Sequence, residues 1–310
     1  MRAFVLAVIL VVGIAAGCAT RQSAPDLSLP RRTLRVATAE MVCKLNDPAA
    51  NLAEACRLSE EAGRKKARLV LFPEGCLTGT TIRDRKSQAL LPTTPEPFAP
   101  LQKISDQYDL TISIGFATPF GEKVNMVHAI LRPNQPILFQ HKAAKAADEP
   151  EFLEPWPDAK RVVFTVDGVK VVMMICSEFG FEHVIREMEA EKPDLVLHSS
   201  AGHLREGEVI PARAPSARAL AAAEKLMRGP PEGAAKDAAR RRTPRLASNP
   251  IGFDGELYWP GNSYAVGADG KIYLWVKGTA VPSAMRASVN VVELPIPTRA
   301  ANSRVSNLTY

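Results

Sequence analysis

Short apolar runs alternate along the chain with longer segments of mixed polarity. Leu69–Phe72 and Val171–Ile175 contain no polar side chain, which is typical of strands buried on both faces of a sheet. Apolar segments also flank Asp167-Gly168, a dipeptide that predicts a tight hairpin turn. The strands predicted by this pattern are Thr33–Val42, Leu69–Phe72, Leu110–Ala117, Val124–Leu131, Ile137–Gln140, Val162–Val166, Val169–Ile175, Leu195–His198, Ser263–Val266 and Ile272–Val276.

Segments with helical periodicity lie between these strands. Asp47-Pro48 predicts the start of a helix, because proline fits the first helical turn, and the helix extends to about Ala67 with one apolar stripe. A second helix is predicted from Glu182 to about Glu191. The alternation of helices and strands predicts a layered α/β fold. No internal repeat or linker composition follows residue 32, so we expect one domain over residues 33–310.

Residues 1–17 have the pattern of a signal peptide. Met1-Arg2 gives a positive start, and the apolar run that follows is shorter than the roughly 20 residues of a membrane-spanning helix. Small residues precede Cys18 as they do in bacterial lipoprotein signals, which predicts cleavage before Cys18 and its lipidation. An ordinary secretory signal with an incidental cysteine is the alternative.

The lipoprotein interpretation also predicts a location. Residues 18–32 contain Pro25 and Pro30 among small polar residues, and we expect them to form a flexible tether. The domain would then lie in the cell envelope, on the periplasmic side of a bacterial membrane. The outer membrane is favoured because Ala19-Thr20, and not aspartate, follows the cysteine.

The composition excludes several classes of protein. A hydrophobic content of 46% with 23% charged residues indicates a chain that builds a core. The net charge is only +6, and no run of lysines is interleaved with aromatic residues, so we do not expect a nucleic-acid partner. The five cysteines include no Cys-x-x-Cys pair, which argues against a metal site. A disulfide between Cys43 and Cys56 stays open.

Three residues of complementary chemistry follow apolar strands. Glu74, Lys142 and Cys176 each come at the end of one, and sites in open α/β sheets gather where strands end. A carboxylate, an amine and a thiol are the parts of a base-activated nucleophile. We therefore predict that these three side chains are catalytic.

Their order and spacing resemble the nitrilase, or carbon–nitrogen hydrolase, superfamily over about residues 34–294. Leu69–Glu74 with Thr78-Gly79 is similar to the first family motif, Lys142 to the second, and Ile175-Cys176 with Phe179 to the third. Glu149 stands where the family tends to carry a second glutamate. Asn249, Gly261-Asn262-Ser263 and Asp269-Gly270 resemble its C-terminal hairpin region.

The resemblance implies a four-layer α-β-β-α sandwich that assembles as a homodimer or higher homo-oligomer. It implies cleavage of a non-peptide C–N bond, most commonly in a small-molecule amide, without metal or organic cofactor. Cys176 would form a thioester, Glu74 would act as the base, and Lys142 would stabilise the oxyanion.

The resemblance also implies supporting roles around these three residues. Glu149 would orient Lys142 or a water molecule, and the backbone N–H of Ser177 would be a second oxyanion donor. Asn125, Ser199 and Ser200 stand at positions that we expect to bind substrate.

Two features depart from the family pattern. The second motif usually has a histidine two residues after the lysine, where this chain has Ala144, and the adjacent Lys145 is a rival for the catalytic amine. Leu204–Arg245 also diverges; we interpret it as a solvated helical insertion, with a basic lid or a surface for a partner as the alternative. An N-acyltransferase and an inactive pseudoenzyme that binds amides or a partner stay open as alternative functions.

Overall fold

The computed structural model describes residues 31–79, 88–147, 149–156, 159–204, 217–253, 257–279, 281 and 284–298. The predicted signal peptide, the tether and Cys18 lie outside these ranges. Within them, no helix combines the length and the apolar character needed to cross a membrane.

The described residues form two six-stranded sheets and one short two-stranded pair. The first sheet has the order β14-β1-β2-β3-β4-β5 and the second the order β13-β12-β9-β8-β7-β6. The strands are β1 (Arg31–Glu40), β2 (Leu69–Leu71), β3 (Thr111–Phe120), β4 (Lys123–Leu131), β5 (Leu138–His141), β6 (Val163–Val166), β7 (Val169–Ile175), β8 (Leu195–Ser199), β9 (Arg245–Ser248), β10 (Ile251–Phe253), β11 (Tyr258–Pro260), β12 (Tyr264–Val266), β13 (Ile272–Trp275) and β14 (Ser288–Pro297).

Helices cover the outer face of each sheet. They are α1 (Pro48–Arg64), α2 (Ala99–Tyr108), α3 (Glu182–Ala190) and α4 (Ala217–Arg241). One apolar core joins α1 and α2 to the first sheet, a second lies between the two sheets, and smaller clusters join α3 and α4 to the second sheet. The predicted four-layer α-β-β-α sandwich is confirmed.

Strand β2 shows why a wholly apolar run marks a central strand. Val70 packs in the core beneath the helices, whereas Leu69 and Leu71 pack in the core between the sheets. The strand pairs in parallel with β1 on one side and β3 on the other. Because side chains alternate across a strand, both faces of β2 require apolar residues.

Two local predictions are confirmed by backbone geometry. The Asp47 side chain accepts the N–H of Ala50 at 3.1 Å and caps α1, which begins at Pro48. Strands β6 and β7 form the predicted antiparallel hairpin. Asp167 and Gly168 at its turn have φ values of 49° and 75°, as a tight hairpin turn requires.

Several elements were not predicted. Strand β14 pairs along its whole length with β1, but its two prolines obscure the strand pattern in the sequence. Helix α2 and strands β9–β11 were also not predicted.

Helix α4 confirms that the divergent segment contains a helix, but the prediction that this helix is solvated was incomplete. Its Ala234, Ala235 and Ala238 pack against β9 and β12. Cys43 and Cys56 are separate thiols and not a disulfide pair.

Candidate active site

The structure brings the three predicted catalytic side chains to one end of the sandwich. Glu74 follows β2 and Lys142 follows β5 in the first sheet, whereas Cys176 follows β7 in the second. The turn that carries Glu74 packs directly on β3, where a Cβ on Gly115 would lie 2.6 Å from the Pro73 carbonyl oxygen. Only glycine permits this approach, which fixes the turn.

Lys142 lies between two carboxylates. Its Nζ is 2.9 Å from Oε1 of Glu74 and donates a short hydrogen bond to Oε1 of Glu149. Lys142 is 1% exposed and Glu74 is 4% exposed. A lysine removed from water remains charged only when such partners compensate for its lost hydration. The arrangement therefore holds an ammonium group beside the thiol-bearing turn.

The pKa values of the three groups shift in directions set by burial and by their mutual charges. Burial raises the pKa of Glu74, and the ammonium of Lys142 only partly opposes the rise. Burial alone would lower the pKa of Lys142, but the charge of Glu74 and the smaller contributions of its other acidic neighbours, Glu149 among them, together outweigh burial and keep the pKa above its ordinary value. Burial and the Glu74 charge raise the pKa of Cys176. The resting sulfur is therefore a thiol that needs a base.

Cys176 sits on a turn with an uncommon backbone conformation. Its φ is 46°, a left-handed value that residues other than glycine rarely adopt and that is often found at functional sites. The turn continues as a short 3-10 helix, Cys176–Gly180. The Glu74 carboxylate and the Cys176 side chain each shift the pKa of the other, and the backbone amide of Ala201 acts to lower the pKa of the thiol.

Glu149 and Ser177 complete the polar surroundings of Lys142. The Oε2 atom of Glu149 accepts the N–H of Ala146 at 2.6 Å and the Ser177 hydroxyl at 3.4 Å. Glu149 is thus oriented through one oxygen while the other contacts the Lys142 ammonium. The expectation that Glu149 orients Lys142 agrees with this contact. The oxyanion role of the Ser177 N–H stays a prediction.

Asn125 holds the loop that carries Lys142. Its Nδ2 donates to the carbonyl oxygens of Lys142 at 3.1 Å and Glu154 at 2.8 Å, and its Oδ1 lies 3.0 Å from Nδ1 of His141. The side chain is completely buried. These contacts make Asn125 a positioning residue, and its predicted contact with substrate stays a prediction.

The two serines after β8 have different surroundings. Ser199 is buried, and its hydroxyl lies 2.6 Å from Nε2 of His128. Burial lowers the pKa of His128 to about 3, so this imidazole is a neutral core group. The Ser200 carbonyl accepts the Glu74 N–H at 3.2 Å, and Ser200 lines a cavity beside the site. Substrate binding by Ser199 and Ser200 stays a prediction.

Lys145, the rival amine, contacts the later part of its own loop. Its Nζ donates to the carbonyl oxygens of Leu153 at 2.7 Å, Pro150 at 3.3 Å and Glu151 at 3.3 Å. Lys145 therefore holds two parts of the loop between β5 and β6 together. The contacts with Glu74 and Glu149 favour Lys142 as the amine of the site.

Sequence reasoning missed three residues that support the site. Glu178 and Arg161 form a buried ion pair under the Cys176 turn. His198 places Nε2 at 3.1 Å from the Cys176 carbonyl oxygen. The acidic residue Glu178 lies between the apolar Ile175 and Phe179 in the sequence, and this was the one feature that could have indicated a buried ion pair.

In the described ranges, no group of three or more potential ligands is arranged to hold a metal ion.

The carbon-nitrogen hydrolase family model matches residues 34–279 of this chain. Hydrolase Rv0480c of Mycobacterium tuberculosis (strain ATCC 25618 / H37Rv) is 28% identical over 172 residues. That match covers 53% of this chain and 59% of the relative, so the chain spans less than two thirds of the relative's length.

Solved structures share the fold at low sequence identity. An amidase from Nesterenkonia sp. has a TM-score of 0.64 and 18% identity, covering 86% of this chain and 93% of the amidase. A glutamine-dependent NAD+ synthetase from Acinetobacter baumannii has a TM-score of 0.66 and 16% identity, covering 87% of this chain and 48% of the synthetase. The chain belongs to the carbon–nitrogen hydrolase family, the nitrilase superfamily.

Proposed function

We propose that this enzyme hydrolyses a non-peptide C–N bond in an amide through a thioester on Cys176. The observation that carries the proposal is the buried ion pair of Glu74 and Lys142 beside the turn of Cys176. The Glu74 carboxylate accepts the Lys142 ammonium at 2.9 Å, and the side chains of Glu74 and Cys176 each shift the pKa of the other. A base, a nucleophile and a cation grouped in this way have the chemistry that acyl transfer requires.

In the first half-reaction, the Cys176 sulfur attacks the amide carbonyl carbon while the thiol proton passes to Glu74. The carbonyl electron pair moves to oxygen, and the Lys142 ammonium and the Ser177 N–H stabilise the resulting oxyanion. The C–N bond then breaks. Glu74 returns the proton to the leaving nitrogen, and an acyl thioester remains on Cys176.

In the second half-reaction, water attacks the thioester carbonyl carbon and gives a proton to Glu74. The C–S bond breaks, the carboxylic acid leaves, and the sulfur regains its proton from Glu74. Glu149 keeps Lys142 in place throughout, because the two side chains are directly hydrogen-bonded.

The test measures ammonia release from a panel of primary amides, with Cys176→Ala as the inactive variant. Cys56→Ala is the matched control, since Cys56 is a partly buried thiol on α1. We expect release by the wild type and by Cys56→Ala, and none above background by Cys176→Ala. Equal release by the wild type and Cys176→Ala would contradict the proposal. A lasting acyl adduct without release would point to acyl transfer.

We further propose that Cys18 is lipidated and anchors the enzyme to a bacterial membrane on its periplasmic side. The proposal rests on the signal-like pattern of residues 1–17. With two or three acyl chains the anchor would be stable. Cys18→Ala should move the protein from the detergent-soluble membrane fraction to the soluble fraction, whereas Cys56→Ala should not. An unchanged distribution of Cys18→Ala would contradict the anchor.

Homo-oligomerisation through the region of α3, close to the Cys176 turn, is also part of the proposal. Light scattering coupled to gel filtration tests it directly. A mass of twice the chain mass of 33.6 kDa, or a higher multiple, is expected for the full chain, allowing for the removed signal. A mass of one chain would contradict it.

A further inference from the structure

A cavity of about 510 Å³ adjoins the site, within the range of about 300–1,000 Å³ that is usual for small-molecule pockets. Two of its wall residues contact the catalytic groups. His198 contacts the Cys176 carbonyl, and Ser200 accepts the Glu74 N–H. Ala201, whose backbone amide acts to lower the pKa of Cys176, stands between Ser200 and the next wall residue, Gly202. The cavity therefore lies beside the turns that carry Glu74 and Cys176, which do not themselves line it.

Much of the cavity wall is apolar. Leu204 and Met227 belong to a small buried cluster that joins α4 to β10. Pro230, Pro260 and the ring of Tyr264 complete this side. A ligand group that reaches this wall displaces water from hydrocarbon surface, which favours binding in proportion to the apolar area covered.

Two polar side chains of the wall are satisfied by the protein itself. Asn249 accepts the Gly202 N–H at 2.8 Å and donates to the carbonyl oxygens of Gly202 and Gly261. The Ser248 hydroxyl donates to the Ala39 carbonyl at 2.9 Å. Nδ1 of His198 is buried without a hydrogen-bond partner, so the wall retains a neutral polar group among its apolar ones.

The described part of the wall contains no carboxylate, ammonium or guanidinium group: none of its side chains is an aspartate, glutamate, lysine or arginine. Its titratable side chains other than Tyr264 are His198 and His203. Burial, with the nearby charge of Arg245, lowers the pKa of His198 to about 3, so this imidazole stays neutral. An ionised group that reached these residues would lose its hydration with little compensation.

We propose that this cavity binds an uncharged, largely apolar part of the substrate that is larger than a methyl group, such as an aliphatic chain or a single aromatic ring. The inference rests on the proposed amide hydrolysis and adds the substrate class to it. The apolar part belongs either to the acyl chain or to the substituent on the nitrogen. Either group would bind the apolar wall of the cavity in the same way.

The test compares kcat/KM for hexanamide with values for acetamide, 6-aminohexanamide and the monoamide of adipic acid. N-hexylacetamide, assayed by release of hexylamine, distinguishes the nitrogen side from the acyl side. Each methylene that enters the cavity should raise kcat/KM up to about fourfold. We expect hexanamide or N-hexylacetamide to exceed acetamide and both charged analogues at least tenfold. Charged analogues that react as well as both hexyl compounds would overturn the inference.

A variant locates the effect in the cavity. Met227→Trp should fill the apolar wall and lower the preference for the hexyl compound over acetamide at least tenfold. Lys225→Ala, at an exposed position on the same helix, is the control in which this preference should not change. Circular dichroism establishes that each variant is folded. A folded Met227→Trp protein with an unchanged preference would overturn the assignment, and the substrate comparison tests it independently should the variant not fold.

A binding measurement separates this inference from the proposed function. Calorimetry with Cys176→Ala needs no turnover, because the cavity wall is intact in that variant. Tighter binding of a hexyl compound than of 6-aminohexanamide supports the cavity assignment even if no amide is hydrolysed. Equal or weaker binding overturns it even if amide hydrolysis is established.

Discussion

Arg161 and Glu178 form a buried ion pair beneath the turn that carries Cys176. Nη1 of Arg161 lies 2.8 Å from Oε2 of Glu178, and both side chains are almost completely excluded from solvent. The same carboxylate accepts the N–H of Ile175 and the N–H of Ala143, each at 2.7 Å. Glu178 thus joins the residue before Cys176 to the residue after Lys142.

Substitution of Glu178 should damage both stability and turnover. Glu178→Gln leaves the buried Arg161 with only the distant and exposed carboxylate of Glu187, 3.9 Å from its Nε, and removal of one partner of a buried pair costs about 3–5 kcal/mol. We expect a loss of that order in the free energy of unfolding, measured by urea denaturation. The exposed pair of Arg186 and Glu182 on α3 provides the control. Arg186→Ala should cost less than about 1 kcal/mol, and a similarly small cost for Glu178→Gln would contradict the role given to this pair.

The loss of activity at low pH should follow the protonation of Glu74. Only the carboxylate can take the thiol proton, so activity falls as the pH drops through the pKa of Glu74. Burial raises this pKa above its ordinary value of 4.5, and the charge of Glu149 adds to the rise. We therefore expect the midpoint of kcat/KM above pH 4.5.

Glu149→Gln tests whether Glu74 controls the loss of activity at low pH. The variant removes a negative charge that raises the pKa of Glu74, so the acid midpoint should move to lower pH while kcat falls. Profiles of kcat/KM against pH for the two proteins provide the measurement. A midpoint that moves upward, or does not move, would show that another group controls this loss of activity.

His198 should act on turnover by positioning the Cys176 turn. Because a carbonyl oxygen only accepts, Nε2 of His198 must donate in its contact with the Cys176 carbonyl. We expect His198→Ala to lower kcat about tenfold, and His198→Gln, which can donate from its amide, to restore part of the loss. No restoration by glutamine, with both variants folded, would argue against positioning through this hydrogen bond.

Glu40 should make the stability of the protein depend on pH. Its carboxylate is buried and accepts the Ser263 N–H at 2.9 Å, and burial raises its pKa from 4.5 to about 7. A raised pKa means that the folded protein binds this proton more tightly than the unfolded chain. The stability from Glu40 is therefore fully present below pH 4.5 and is lost as the pH rises through about 7.

The expected size of the Glu40 effect is about 3 kcal/mol, at about 1.4 kcal/mol for each pKa unit. Urea denaturation at pH 5 and pH 8 measures it. Glu40→Gln should lose less stability over this interval than the wild type by about this amount. The control Glu293→Gln, at an exposed position on the neighbouring strand β14, should behave like the wild type. Equal losses in wild type and Glu40→Gln would contradict the prediction.

Local patterns in the sequence predicted the elements that place Glu74, Lys142 and Cys176. Glu74 and Cys176 each follow a strand whose largely apolar sequence requires burial. Lys142 follows the edge strand β5, which is mostly half-buried. The ends of the three strands bring the side chains together. The hairpin at Asp167-Gly168 and the cap at Asp47 were predictable for the same reason, since a few adjacent residues determine each.

The supporting residues depend on contacts that no local pattern specifies. His198 contacts the Cys176 carbonyl because β7 and β8 pair in parallel with Ile175 opposite Ser199. The sequence of one strand alone does not determine the register of this pairing. Arg161 meets Glu178 across a loop and a complete hairpin. The cavity combines the end of β8 with α4 and the segments around β9, β11 and β12, which are distant along the chain.

The most direct test of the central claim is intact-mass and peptide analysis of the enzyme quenched with acid during turnover of a primary amide. The mechanism predicts a mass increase equal to the acyl group less one hydrogen atom, located on the peptide that contains Cys176 and removed by hydroxylamine. The neighbouring thiol of Cys76 is buried, donates to the Gly115 carbonyl, and has its pKa raised to about 12 by burial, so its peptide should remain unmodified. Amide turnover that persists in Cys176→Ala, or an acyl group found on Cys76, would contradict the claim.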